Sequence, residues 1–209
     1  LKNLYFNLEF FMLKMKAILP IFCLLGILFI PTSCTYLQPN KEEVLSLESD
    51  FKKVRIDGKY HLSIPNYMRK TDQLNDEASL QYNNPFKETY TIVIDENKEQ
   101  FLSAIKESQW ADSLGTTIEI YRKLQMSLLG QGIAMTSVEN LEVEKIGRLN
   151  AKRTQFEGKI EGVDEKIKYL ITFVEGRNDL YMIMSWTLND FSKKYLRTYH
   201  QIADSFQEI

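Results

Sequence analysis

Two neighbouring segments near the C-terminal end, "EKIKYLITFVEG" (165–176) and "LYMIMSWTL" (180–188), constrain the fold most. Ile167, Tyr169, Ile171 and Phe173 alternate onto one face of the first segment, and Leu180, Met182, Met184 and Trp186 onto one face of the second. The opposite faces are apolar as well, through Leu170 and Val174 in one and Tyr181 and Ile183 in the other. A strand apolar on both faces belongs in the middle of a sheet that is covered on each side. The link between the segments is short enough for a hairpin. The chain therefore predicts an antiparallel sheet with a layer above it and a layer below.

The other elements fit around that pair. "TSVENLEVEKIG" (136–147) and "LNAKRTQFEGKI" (149–160) precede it as further strands of a meander, with Glu142 and Glu144 on one solvated strand face. Upstream, "FKKVRI" and "KYHLSIP" flank Asp57-Gly58, read as a two-residue type I′ hairpin turn, and Pro65 ends the second strand. "ASLQYNN" and "ETYTIVIDE" are two more strands, separated by a break at Asn83-Asn84-Pro85. Asn97 caps a helix with Phe101, Leu102 and Ile105 on its stripe. Thr116 to Glu119 forms a capping box for a second helix, whose stripe of Ile118, Tyr121, Leu124, Gln125 and Leu128 runs to Gly130. Asn189 or Asp190 caps a third, with Phe191, Tyr195, Tyr199, Ile202 and Phe206 aligned. The expected class is α+β, an antiparallel β-sheet sandwiched by helices.

The N-terminal region is of another kind. Lys14 and Lys16 precede a run from Ala17 to Ile30 that is apolar apart from Pro20 and Gly26. As a helix this run is roughly 21 Å long, short of the ~30 Å core of a bilayer. A basic start, a short apolar run and small residues are the layout of a secretory signal. Thr32-Ser33-Cys34 resembles the end of a bacterial lipoprotein signal, in which the Cys receives lipid and becomes the mature N-terminus. Pro31 departs from the aliphatic residue usual three positions before that Cys. On this reading residues 1–33 are upstream residues plus a cleaved signal starting at Met15, Cys34 is the lipid attachment, 34–48 is a lipidated tether and 49–209 is the folded domain. A plain secretory signal cut nearby and an uncleaved anchor are the alternatives. The second cysteine, Cys23, lies inside the segment to be removed, so Cys34 would be the mature chain's lone thiol. That excludes an intrachain disulfide and a cysteine metal cluster.

Chemistry-bearing motifs are sparse. A net charge of −2 without a Lys/Arg block disfavours nucleic acid as a partner. His61 and His200 are the only histidines, and neither sits in a metal-binding spacing. The G-x-S-x-G of nucleophile-elbow hydrolases does not occur. "GQGIAM" (130–135) follows a helical pattern and reads as a C-cap, not a dinucleotide loop. Trp110, in the inter-helix stretch "SQWADSLG", is the most suggestive single residue, since an aromatic in a connection can line a cleft; core packing is its default role. These residues predict no catalytic set, no metal site and no cofactor.

"YHLSIPNYMRKTDQLNDEASLQY" (60–82) resembles the opening of PsbP-like domains, where a hairpin ends in a Ser-hydrophobic-Pro step. "KYLITFVEGRNDLYMIMSWTLNDFSKKYLRTYHQIADSF" (168–206) resembles their close. The resemblance covers roughly residues 50–208 and implies an α/β/α sandwich on an antiparallel sheet. The family includes envelope lipoproteins of the DcrB type and secretion-effector chaperones, most of them binding or assembly modules. It implies a non-catalytic binding or assembly factor for an envelope protein, which the N-terminal signal would place outside the cytoplasm, held to a bacterial membrane through lipid on Cys34. A carrier of a small apolar ligand is the alternative, and an enzyme with an unrecognised site a third.

Overall fold

The computed structural model describes residues 41–108 and 115–209; the signal-like segment, Cys34 and Trp110 lie outside them. Strands β1 (Phe51–Ile56) and β2 (Tyr60–Pro65) form the first hairpin, followed by β3 (Arg69–Lys70), β4 (Ala78–Asn84) and β5 (Thr89–Asn97). Helices α1 (Lys98–Lys106) and α2 (Thr117–Leu129) come next. Then follow β6 (Ala134–Leu141), β7 (Lys145–Ile146), β8 (Leu149–Lys159), β9 (Ile167–Glu175) and β10 (Asp179–Leu188). A 3-10 turn (Asn189–Phe191) leads into α3 (Ser192–Asp204), and β11 (Gln207–Glu208) ends the chain. The large sheet has the order β3-β4-β5-β10-β9-β8-β6, with β7 beside β8, and its neighbours pair antiparallel. The doubly apolar strands β9 and β10 take the central places their sequence requires. A smaller sheet, β1-β2-β11, lies apart from it.

Alternation divides the core in two. Tyr169, Ile171, Phe173, Met182, Met184 and Trp186 pack with Phe101, Tyr121 and Leu124 of α1 and α2. Leu170, Val174, Tyr181 and Ile183 pack on the other side with Tyr195, Tyr199 and Ile202 of α3 and with Leu62 and Ile64 of the first hairpin. The expected sandwich is thus present, with α3 and the small sheet forming the second layer together.

Several local expectations are corrected. The first hairpin has three loop residues, since Ile56 pairs with Tyr60. Only Gly58 has positive φ (73°), in a turn closed by the Lys59 N–H donating to Ile56 O (3.1 Å), where a type I′ turn needs two such residues. Lys59, freed from the ladder, reaches Asp95 on β5. Neither Asn189 nor Asp190 caps α3 with its side chain. The Asn189 N–H still donates to Lys166 O (2.8 Å), which holds the chain to the sheet, so the helix starts one tight turn later. "TSVENLEVEKIG" is not one strand. The Val143 N–H donates back to Leu141 O (2.8 Å), and this turn puts Glu142 and Glu144 in a link between β6 and β7.

From Glu43 onward the chain already lies against the body, within the stretch read as a tether. The Glu43 N–H donates to Lys194 O (2.9 Å), and Gln201 Nε2 to Leu45 O (3.1 Å), so residues 43–45 run along α3.

Candidate functional site

A polar groove of about 540 Å³ lies between the start of α2, the β6–β7 link and the first half of β8. Glu119, Arg122, Asn140, Glu142, Glu144 and Lys152 contribute to its walls. Local sequence explains each position. Glu119 is the last residue of the capping box, with Oε2 accepting from the Thr116 N–H (2.9 Å). Arg122 follows one turn later on α2 and donates from Nη1 to Asn140 Oδ1 (2.6 Å), which also accepts from the Thr154 hydroxyl (2.9 Å). Lys152 Nζ lies 3.7 Å from Glu119 Oε1. The Thr116 backbone bond, then its hydroxyl and Lys152, hold the Glu119 carboxyl below the usual carboxylate range. That group is an anionic acceptor and a poor general acid at neutral pH. The walls carry no Ser, Cys or His to serve as a nucleophile or imidazole base. Alternating acids and bases suit such a groove to holding a charged polar segment by ion pairs and hydrogen bonds.

Lys152 and Arg153 are consecutive strand residues and so face opposite sides of the sheet. Arg153 is 3% exposed and is held under α3: Nε donates to Thr172 Oγ1 (2.8 Å), Nη2 to Asp204 Oδ1 (2.6 Å), and Nη1 lies 2.8 Å from His200 Nδ1. A guanidinium only donates, so Nδ1 accepts and the ring proton sits on Nε2. Burial first, then the Arg153 charge, lower the His200 pKa. His61 stands elsewhere, on the small sheet, with Nε2 at 2.7 Å from Gln207 Oε1. Among the described residues no group of His, Cys, Asp and Glu is arranged to hold a metal ion.

The space between the large sheet and α1/α2 is filled by rings. Phe156 stacks on Tyr169 at 4.8 Å, Tyr90 on Trp186 at 5.3 Å, and Phe101 and Phe173 meet the Tyr121 ring edge-on. Glu96 lies at the margin of this layer, where its carboxylate accepts from Tyr121 OH and Gln125 Nε2. Burial pushes its pKa up to about 7 against those two bonds, which pull it down.

The sequence pointed to Glu142 and Glu144 only as a solvated strand face, and gave no sign of Arg122, Asn140 or Lys152. Three segments distant in sequence meet here, and no periodicity within one segment signals such a meeting. Among the described residues no helix is long and apolar enough to cross a membrane.

No known family pattern and no curated protein matches the sequence. Among solved structures, the chain is similar to the solution structure of cyanobacterial PsbP (CyanoP) from Synechocystis, with TM-score 0.51 and 13% identity, covering 77% of this chain and 94% of that one. It is similar as well to LpqN of Mycobacterium tuberculosis, a protein involved in cell envelope biogenesis, with TM-score 0.41 and 10% identity over 77% of this chain and 92% of that one. With its eight-stranded antiparallel sheet between two helices on one side and α3 with a small sheet on the other, the chain has a PsbP-like fold.

Proposed function

We propose that this protein is a lipid-anchored, extracytoplasmic binding or assembly module that takes a charged segment of an envelope protein into the groove between α2, the β6–β7 link and β8. Residues 1–33 supply upstream residues and a removable signal, and Cys34 carries the lipid. The observation that carries this reading is the separation of the groove from the point where the chain joins the fold. The chain joins the fold at Glu43, which accepts from Lys87 in the turn before β5 and from Tyr67 and Thr198. Lys152 lies on the cross-strand row Lys152–Phe173–Met182–Ile94, five residues further along β5 than Thr89 and three strands away. At about 3.3 Å per residue and about 4.8 Å per strand, that is roughly 17 Å along the sheet and roughly 14 Å across it. The groove therefore stands at a distance from the point where the chain joins the fold, clear of the contacts that Glu43 makes. The ring packing inside favours a surface site over an internal apolar ligand, and the absence of a nucleophile from the groove walls favours binding over catalysis.

The test is photo-crosslinking in intact cells from an unnatural residue at position 142, with position 57 as control. A discrete adduct from 142, absent from 57 and lost when Arg122→Glu and Lys152→Glu reverse the groove's cations, is expected. Adducts equally strong from 57, or unaffected by the reversals, would remove the groove from the function.

A further inference from the structure

The large hydrophobic residues left exposed are unevenly placed. Among the described residues they are Val44, Leu47, Phe86, Val138 and Ile209, with Phe86 the most open at 89%. Val44 and Leu47 follow Glu43 on the segment by which the chain joins the fold. Phe86 stands in the β4–β5 turn beside Lys87, whose Nζ donates to Glu43 Oε1 (3.3 Å). Val44, next to Glu43, and Phe86, next to Lys87, thus stand where the chain arrives.

The turn presents Phe86 on a fixed support. The Lys87 N–H donates to Asn84 O (3.1 Å) and to Asn84 Oδ1 (3.0 Å), and Asn84 Nδ2 donates to Tyr67 O (2.9 Å). Glu88 closes the turn at φ 52° and accepts from Tyr90 OH (2.9 Å). Lys87 lies over the Tyr67 ring, 4.6 Å from its centroid. The tip is therefore a held aromatic wedge.

Glu43 comes nine residues after Cys34. A fully extended chain of that length reaches at most about 32 Å, and a flexible one averages roughly 17 Å. A short linker of this kind keeps the domain at an effective concentration in the millimolar range at the surface that holds its end. Even a weak second contact is then populated. Charge around the patch is nearly balanced: Lys193 and Lys194 stand beside Asp190, while Arg197 pairs with Glu42 (3.9 Å) and Lys87 with Glu43. Such a surface suits the lipid–water interface through its apolar groups, without a demand for anionic headgroups.

We propose that the Phe86 turn, with Val44 beside the chain's attachment, rests in the lipid–water interface of the membrane that holds the Cys34 anchor. This rests on the anchor reading given above. Two attachments then fix the orientation of the domain at the membrane.

The test uses the mature protein from its own membrane, placed in phosphatidylcholine nanodiscs, with nitroxide labels on introduced thiols. An acylated Cys34 takes no label, so the protein without an introduced thiol reports on the anchor. In Phe86→Cys and Val44→Cys the nitroxide is expected to meet oxygen several-fold more readily, relative to a nickel chelate, than in Asp57→Cys at the far end of the first hairpin. Phe86→Asp should return the label at 44 to the value at 57, and high salt should leave the contact unchanged. No label on Cys34 together with a chelate-accessible nitroxide at 86 would overturn the docking and leave the anchor standing. A label on Cys34 itself would remove the anchor and the docking with it. A nitroxide at 86 shielded from both reagents in native membranes would mark a protein surface, which also overturns the lipid assignment.

Discussion

Phe173 and Thr172 are neighbours in β9, both 0% exposed, and they look into two different kinds of interior. On the Phe173 side, α1 and α2 close over the sheet by ring-on-ring contact, with Phe173 edge-on to Tyr121 at 5.9 Å. On the Thr172 side, α3 covers a surface where hydroxyls and a guanidinium alternate with aliphatic groups. There Thr91 Oγ1 meets Ser185 Oγ at 2.9 Å, and Thr172 accepts from Arg153. Apolar packing is non-directional and fixes how much is buried; buried hydrogen bonds fix which partner lies where. Both faces bury an apolar cluster, and the second adds directed bonds that fix the position of α3 and of the residues 43–45 that run along it.

The largest expected effect follows from the first face. Phe173→Ala should cost about 3–5 kcal/mol in denaturant unfolding, the range for deleting a buried aromatic ring. Loss below ~2 kcal/mol would mean that α1 and α2 collapse into the space, and the close-packed description of that face would fail.

Glu96 is the titrating exception on the same face. Its pKa, near 7 in the fold against a reference of 4.5, is raised because burial disfavours the anion. A raised acid binds more protons folded than unfolded, so its contribution is fully present below about pH 4.5 and is lost as pH rises towards 7. Glu96→Gln keeps an acceptor for Tyr121 and removes the charge. It should stabilise the protein at pH 8 by up to ~3 kcal/mol, with no gain near pH 4.5, in thermal melts across that range. Equal stability of both proteins at pH 8 would show that the carboxylate is well solvated.

Thr172→Val probes the second face with almost no change in volume. It leaves the Arg153 Nε–H without its acceptor under α3, at a cost of about 1–3 kcal/mol. A cost as large as that of Phe173→Ala would show that one directed bond under α3 holds the fold as strongly as a buried ring does. The same variant should weaken protection of the Glu43 amide in hydrogen exchange, because that amide bonds to α3.

The two faces also differ in how plainly the sequence shows them. Tyr169-Ile171-Phe173 and Met182-Met184-Trp186 alternate without interruption, so the central strands and their α1/α2 cover could be read directly. The stripes of all three helices could be read for the same reason. Arg153, the element that fixes α3, is an ordinary strand cation until Thr172, His200 and Asp204 are brought around it, and these lie up to 51 residues away. Strands β3 and β11 have two residues each, too few for any period to register. The groove failed to show because Glu142 and Glu144 fit a solvated alternation as well as a bent link. Only the Val143–Leu141 turn, a three-dimensional event, decides between them.

The finest test of the contrast is the pH response of His200, the titrating group of the second face. It faces Arg153 at 2.8 Å, with Asp204 sharing the same guanidinium, and its folded pKa lies below the reference of 6.5 because burial and Arg153 both oppose the cation. A depressed base binds fewer protons folded than unfolded, so its contribution is complete above pH 6.5 and is lost as pH falls below that value. This trend is opposite in sign to that of Glu96, and smaller because Asp204 partly restores the charged form. Between pH 5 and 6.5 the two faces pull stability in opposite directions. His200→Asn retains an acceptor for Arg153 and cannot titrate, so it should flatten the acid-side loss and leave stability at pH 8 nearly unchanged. Combined with Glu96→Gln, it should flatten stability between pH 5 and 8 more than either change alone. An additive result fits two groups on opposite sides of the sheet with no shared partner. Strong coupling between the substitutions would show that the faces do not act independently.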